Sequence, residues 1–213
     1  MFDPDELPYK RSGGMMYMRF SRREIREIAI SVVVLTLAFA IVFSQWFQAL
    51  ADGTLDNFVA WLAVSALLVV TGFVLHELGH KFAAQAFGAW AEYRMYPRGL
   101  ILALVVALLG FIFAAPGAVY IQGMIGKRQN GIISIAGPAV NLLVGSLCLV
   151  LASVAGEGIG AFILLMLARV NLILALFNLI PFPPLDGSKV LAWNPIIYAL
   201  AAGAGLFLFI GSL

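Results

Sequence analysis

Apolar residues in this chain come in long, almost charge-free runs, not in the one-sided stripe of a helix that packs on a soluble core. Four runs are long enough to cross a bilayer as helices, which takes roughly 20 residues. They are residues 28–50, residues 58–75 with their continuation, residues 132–155 and residues 158–180. A fifth, 196–213, is entered through Asn194-Pro195. Residues 99–126 also carry no charge, but Pro116-Gly117 interrupts them. The pattern there predicts a helix-like arm over 100–115 that turns into an extended 118–122. Ahead of the first run, Ser21-Arg22-Arg23-Glu24 has the S-x-x-E form of a capping box and predicts a helix start.

Composition agrees with the pattern. The 213 residues are 62% hydrophobic and 11% charged, with a mean hydropathy of +1.00. A soluble domain of this size needs far more charge to cover its surface. The expected fold class is therefore an all-α polytopic membrane protein with about six membrane segments, one of them a re-entrant helix/strand hairpin near 99–126. Residues 1–27 read as a cytoplasmic N-terminal leader and 28–213 as a single transmembrane domain. The leader lacks a small-residue cleavage pattern and is too long for a signal peptide. No internal repeat, low-complexity tract or soluble appendage is evident. Cys148 is the only cysteine, which excludes an intrachain disulfide and a cysteine zinc site. A net charge of +2 gives no reason to expect a nucleic-acid partner.

The placement of charge suggests an orientation. Lys10, Arg11, Arg19, Arg22, Arg23 and Arg26 precede the first run and put the N-terminus in the cytoplasm. The connector 51–57 holds Asp52 and Asp56 and no basic residue, so it lies outside. Lys81, Arg94 and Arg98 then fall on the cytoplasmic side. If 99–126 dips in and returns, Lys127 and Arg128 are cytoplasmic as well, and 178–186 comes back to the same face. An ordinary Pro-kinked helix in another topology is the alternative. Trp46, Trp61 and Trp193 read as interface anchors.

Both histidines of the chain lie in His76-Glu77-Leu78-Gly79-His80, directly after the run at 58–75. Ionisable groups are expensive in that setting and mark function. On a helix His76 and His80 share a face and can bind one zinc ion, with Glu77 placed to act on a water there. A catalytic zinc needs a third protein ligand and an open position. Asp186 is the first candidate, in Asn178-Leu-Ile-Pro181-Phe-Pro183-Pro184-Leu-Asp186-Gly187, and Glu92 is its rival, read as a solvated loop residue beside Arg94. Asn141 and Asn178 offer amides that can stabilise an oxyanion or bond neighbouring helices. Gly79 suits either a close substrate approach or a helix contact. Arg169, in mid-helix, needs a partner that the sequence does not name.

His76-Glu77-Leu-Gly-His80, Gly137-x-x-x-Asn141 and Asn178-x-x-Pro181-x-Pro183-x-Leu185-Asp186-Gly187 together resemble the site-2 protease family of intramembrane zinc metalloproteases, most of all its small archaeal members. The resemblance covers residues 76–187. It implies proteolysis of membrane-spanning proteins within the bilayer, with Zn2+ held by His76, His80 and Asp186. It also implies Glu77 as general base, Asn178 assisting the transition state and Asn141 lining the site. Ser188 stands where many members have a second glycine, and 99–126 is longer and more apolar than usual. The expected partners are transmembrane protein substrates and the lipid bilayer. Two other classes compete with this reading, an inert scaffold that binds membrane helices and a zinc transporter. A transporter needs polar ligands at several depths, whereas the candidates here gather toward one face.

Overall fold

Ser21 starts the first helix as its pattern predicts, but only half of the capping box forms. Its Oγ accepts the Glu24 N–H at 3.1 Å, while the Glu24 carboxylate turns away to Lys81 and to the Tyr93 N–H. The computed structural model describes residues 19–45 and 56–213, and this first helix is α1, Arg22–Phe43. It begins earlier than the apolar run because Glu24 and Glu27 are buried within its first turns. Lys10, Arg11, Trp46, Asp52 and residues 1–18 of the expected leader lie outside the described residues.

A helical rod follows in three parts: α2 (Asp56–Val69), a π-helical turn (Val70–Val74) and α3 (Leu75–Ala86). The chain continues through β1 (Trp90–Met95), α4 (Pro97–Leu108) and β2 (Gly117–Gln122). Helices α5 (Lys127–Ala155), α6 (Ile159–Asn178), α7 (Asp186–Trp193) and α8 (Pro195–Gly211) complete it. Among the described residues, four stretches are long and apolar enough to cross a membrane: Arg22–Phe43, Phe58–Ala86, Lys127–Ala155 and Ile159–Asn178. Large apolar side chains point outward from them, among them Val33, Leu143, Val154 and Ile159. So much exposed apolar surface suits lipid rather than water. The molecule is an α-helical membrane protein. Its main core joins Leu35 and Phe39 of α1, Leu68 and Val69 of α2, Leu100 and Ala103 of α4, Cys148 of α5 and Leu167 of α6.

The segment between α3 and α5 differs from the sequence expectation in two ways. Residues 90–95 form a strand, not a loop, and pair antiparallel with β2 from Trp90↔Gln122 to Met95↔Gly117. The fold is thus helical with one two-stranded ribbon. The helical arm also stops at Leu108 instead of running to 115. Gly110, at φ +85°, ends it: the Phe111 N–H reaches the Val106 carbonyl and the Gly110 N–H reaches Ala107. That is a Schellman cap, which needs a left-handed residue where glycine sits.

Packing bears on three other expectations. Arg169 bonds the carbonyls of Ser212 and Leu213 at the C-terminal end of α8, where a cation meets the negative end of the helix dipole. Trp61 stacks on Phe43 with ring centroids 5.7 Å apart, and Trp193 presses on Gly131 of α5. Both rings also make helix contacts.

Candidate metal centre

Helix α3 carries His76 and His80 one turn apart, and their Nε2 atoms are 3.0 Å from each other. Asp186, the first residue of α7, brings Oδ2 to 3.1 Å from His80 Nε2 and 3.6 Å from His76 Nε2. All three side chains are buried or nearly so. Asp186 reaches this point because α6 ends at Asn178, the proline-rich segment turns, and Gly187 lets α7 start against the Leu179 and Ile180 carbonyls. A Cβ at Gly187 would collide with both carbonyls.

The tautomers of the two imidazoles follow from their partners. His80 Nδ1 lies 2.8 Å from the Ile133 carbonyl, which can only accept, so Nδ1 carries the proton. His76 Nδ1 lies 3.0 Å from Asn141 Oδ1. The Asn141 amide nitrogen donates to the Gly72 carbonyl at 3.0 Å, which fixes its oxygen as the acceptor and His76 Nδ1 as the donor. Both Nε2 atoms therefore turn lone pairs toward each other and toward Asp186 Oδ2. Three acceptors, all within 4.8 Å of one another, fit a cation in their midst. Two imidazoles and a carboxylate are a donor set that zinc takes. Lys189 Nζ stands 3.6 Å from the other Asp186 oxygen.

The backbone of α5 approaches this centre closely at Gly137. A Cβ there would lie 2.6 Å from His76 Nε2 and nearer still to His80 Nε2, so no larger residue fits beside the histidines. Gly79 makes the complementary contact, since a Cβ on it would stand 2.9 Å from the Ala136 carbonyl of α5. Gly79 is therefore a helix-contact residue, one of the two readings open in sequence.

Glu77 faces the ribbon. Its carboxylate accepts the Val119 N–H of β2 at 3.1 Å. In the register Tyr93↔Val119, the Tyr93 N–H points away from β2, to Glu24, so this is a non-hydrogen-bonded pair. Val119, Gly117 and Ile121 accordingly aim their backbone groups at the edge of β2 that faces α3.

The structure brings His76, Glu77, His80, Asp186 and Asn141 together. Of the two readings open for Asn141, the structure shows the bonds to neighbouring helices. That side chain is fully buried, its oxygen is bonded by His76 and its nitrogen binds Gly72. Asn141 orients an imidazole. Asn178 donates to the Leu174 carbonyl of its own helix at 2.9 Å, and no described hydrogen bond carries it to the centre. Glu92 stands apart from the metal cluster and is not solvated; it pairs with Arg94 at 2.6 Å and accepts from Ser21. Sequence reasoning missed the roles of Gly137, the Ile133 carbonyl and the π turn. The first had a signal, because a glycine one helical turn before Asn141 lies on the same face of α5.

Comparison with known proteins gives an independent line. MJ0611 of Methanocaldococcus jannaschii, named as a zinc metalloprotease, is 39% identical over 194 residues, 87% of this chain and 92% of that protein. YwhC of Bacillus subtilis, similarly named, is 34% identical over 164 residues, 64% of this chain and 73% of its own length. Zinc metalloprotease MJ0392, also of Methanocaldococcus jannaschii, is 33% identical over 138 residues, and the match spans 35% of its length. No protein-family model and no solved structure matches the chain.

Proposed function

Since this chain belongs to the site-2 protease-like zinc metalloproteases, we propose that it cuts peptide bonds of membrane-spanning proteins within the bilayer. One observation carries the reading. A two-histidine, one-carboxylate cluster lies beside a second carboxylate and an open strand edge, all among helices long and apolar enough for a membrane.

His76, His80 and Asp186 would hold the zinc. The metal, when bound, supplies Lewis acidity, lowering the pKa of a coordinated water toward ~7 and polarising the scissile carbonyl. Asn141 and the Ile133 carbonyl keep both imidazoles in the tautomer that offers Nε2 to the metal. Glu77 takes the proton of the attacking water and delivers it to the leaving amine. The second N–H of the Asn178 amide, beyond the one given to Leu174, is assigned to the oxyanion.

A helical substrate hides its carbonyls in i to i−4 bonds and must unwind before attack. Strand addition to β2 would hold it extended beside Glu77. Exposed Ile101, Leu109, Phe111 and Phe113 support α4 and β2 as a re-entrant hairpin, one of six membrane segments with α1, the α2–α3 rod, α5, α6 and α8. Non-helical backbone at that depth is tolerated where protein or a watery cleft covers it. The distribution of Lys and Arg supports a cytoplasmic N-terminus and a site near that face, within one transmembrane domain over 28–213.

The test uses purified wild type and Glu77→Gln, each assayed for zinc and incubated with a fluorophore-and-quencher-labelled alanine/leucine transmembrane peptide and with labelled casein. The expected result is zinc in both proteins and cleavage of the peptide only by wild type. Cleavage by both sinks the role of Glu77. Cleavage of casein alone sinks the intramembrane substrate while leaving a metalloprotease.

A further inference from the structure

The ribbon has a second edge, and α1 covers it. The Tyr93 N–H donates to Glu24 Oε1 at 2.9 Å, and the Met95 N–H donates to Glu27 Oε2 at 2.9 Å. In the register with β2 these are the two amides in the middle and at the end of β1 that point away from the ribbon. The other oxygen of each carboxylate is also engaged. Glu24 pairs with Lys81, which directly follows His80, and Glu27 accepts Arg23 Nε at 2.8 Å. Both glutamates are buried, and so is Lys81. Above them the Ser31 hydroxyl lies 2.9 Å from the Tyr93 hydroxyl.

The spacing explains why a helix can do this. Residues three apart on a helix have Cβ atoms about 5–6 Å apart, and alternate strand residues are about 6.6–6.8 Å apart. A glutamate arm makes up the difference, so Glu24 and Glu27 stand where the carbonyls of a third strand would be. An open edge accepts any extended chain. With β1 occupied, β2 presents the edge at which a chain can add, and that edge lies at Glu77.

We propose that Glu24 and Glu27 are positioning residues for substrate: they close the β1 edge and anchor the ribbon, so that an extended substrate adds at β2, next to Glu77. This rests on the protease reading above. A two-stranded ribbon is marginal by itself. Anchoring β1 holds β2 extended before substrate arrives, which lowers the cost of binding and leaves the chemical step alone. The effect belongs in KM.

Glu24→Ala leaves a buried Lys81 without its partner and can prevent folding, so the decisive variants are at Glu27. Glutamine keeps an oxygen for the Met95 N–H, and alanine does not. The readouts are kinetics on the labelled transmembrane peptide, zinc content, and amide hydrogen–deuterium exchange over residues 90–96. Expected for Glu27→Ala is a KM raised about 5-fold or more with kcat and zinc unchanged. Exchange at Met95 should quicken about 10-fold. Glu27→Gln should match wild type in both. A fall in kcat at unchanged KM overturns the proposal, as does unchanged KM with faster exchange. Equal impairment by glutamine and alanine also overturns it, because the role would then be the ion pair with Arg23. Should wild type cleave nothing, the protease reading fails, while the exchange measurement still decides whether Glu27 closes the edge.

Discussion

The centre has two unlike walls. On the helical wall, each imidazole is held by a buried partner on α5, and Gly137 leaves no space between that helix and the two histidines. On the strand wall, Glu77 accepts the Val119 N–H, and Tyr120 and Gln122 on the same strand are exposed. The difference is one of filling. The helical wall is closed by side chains that hold a small ion in a fixed geometry. The strand wall offers the outward backbone groups of β2, which the proposed substrate strand would use. A single ion and an extended chain need these opposite solutions.

The two walls should separate in experiment. The largest effect is expected from Gly137→Val. Its side chain would occupy the space of both Nε2 atoms, so zinc in the purified protein should fall to background and activity with it. Retained zinc would show that the close approach of α5 is dispensable. Asn141→Leu comes next. Losing the group that orients His76 should weaken zinc by about 10–100-fold, measured by competition with a chelator. On the strand wall, Ile121→Pro removes an outward N–H and leaves the ladder to β1. It should lower kcat/KM for the labelled transmembrane peptide about 3–10-fold, the worth of one hydrogen bond, with zinc unchanged. A loss of zinc in this variant would mean that the walls are not independent.

The smallest effect lies behind the ribbon. Burial, the largest influence, raises the Tyr93 phenol, and the charges of Glu77 and Glu27 add to it against the Ser31 bond. The folded protein then keeps a proton that the unfolded chain releases above about pH 10, so stability should fall as pH rises from there. Tyr93→Phe should remove that part of the slope. Thermal unfolding at pH 8 and pH 11 measures it, and an unchanged slope would assign the alkaline loss to other groups.

Much of this molecule could be read from its sequence, for identifiable reasons. The spans at 58–86 and 159–178 were legible because long apolar runs have few other uses. His76, His80 and Asp186 stood out because ionisable groups are scarce around them. What stayed hidden depends on backbone groups and on contacts distant in sequence. No pattern announces that the Ile133 carbonyl meets His80, or that Asn141 is consumed by Gly72 and His76. At β1 the sequence suggests a loop because Glu92 and Arg94 look like solvated charge, whereas they pair with each other. Gly110 did carry a signal for the end of α4, since a lone glycine in an apolar helix often marks its cap.

The π turn at Val70–Val74 also sets the phase of the rod. A wide turn inserts one residue, and one residue of α-helix is a rotation of about 100°. The face that α2 offers to lipid is thereby uncoupled from the face that α3 offers to the metal. The carbonyl of Gly72, within that turn, takes the Asn141 amide, so the same irregularity that resets the phase also clamps it. Deleting one residue from this turn would keep the rod helical and its composition apolar, yet swing His76 and His80 away from Asp186. Length and hydropathy would be preserved while the catalytic compass turned.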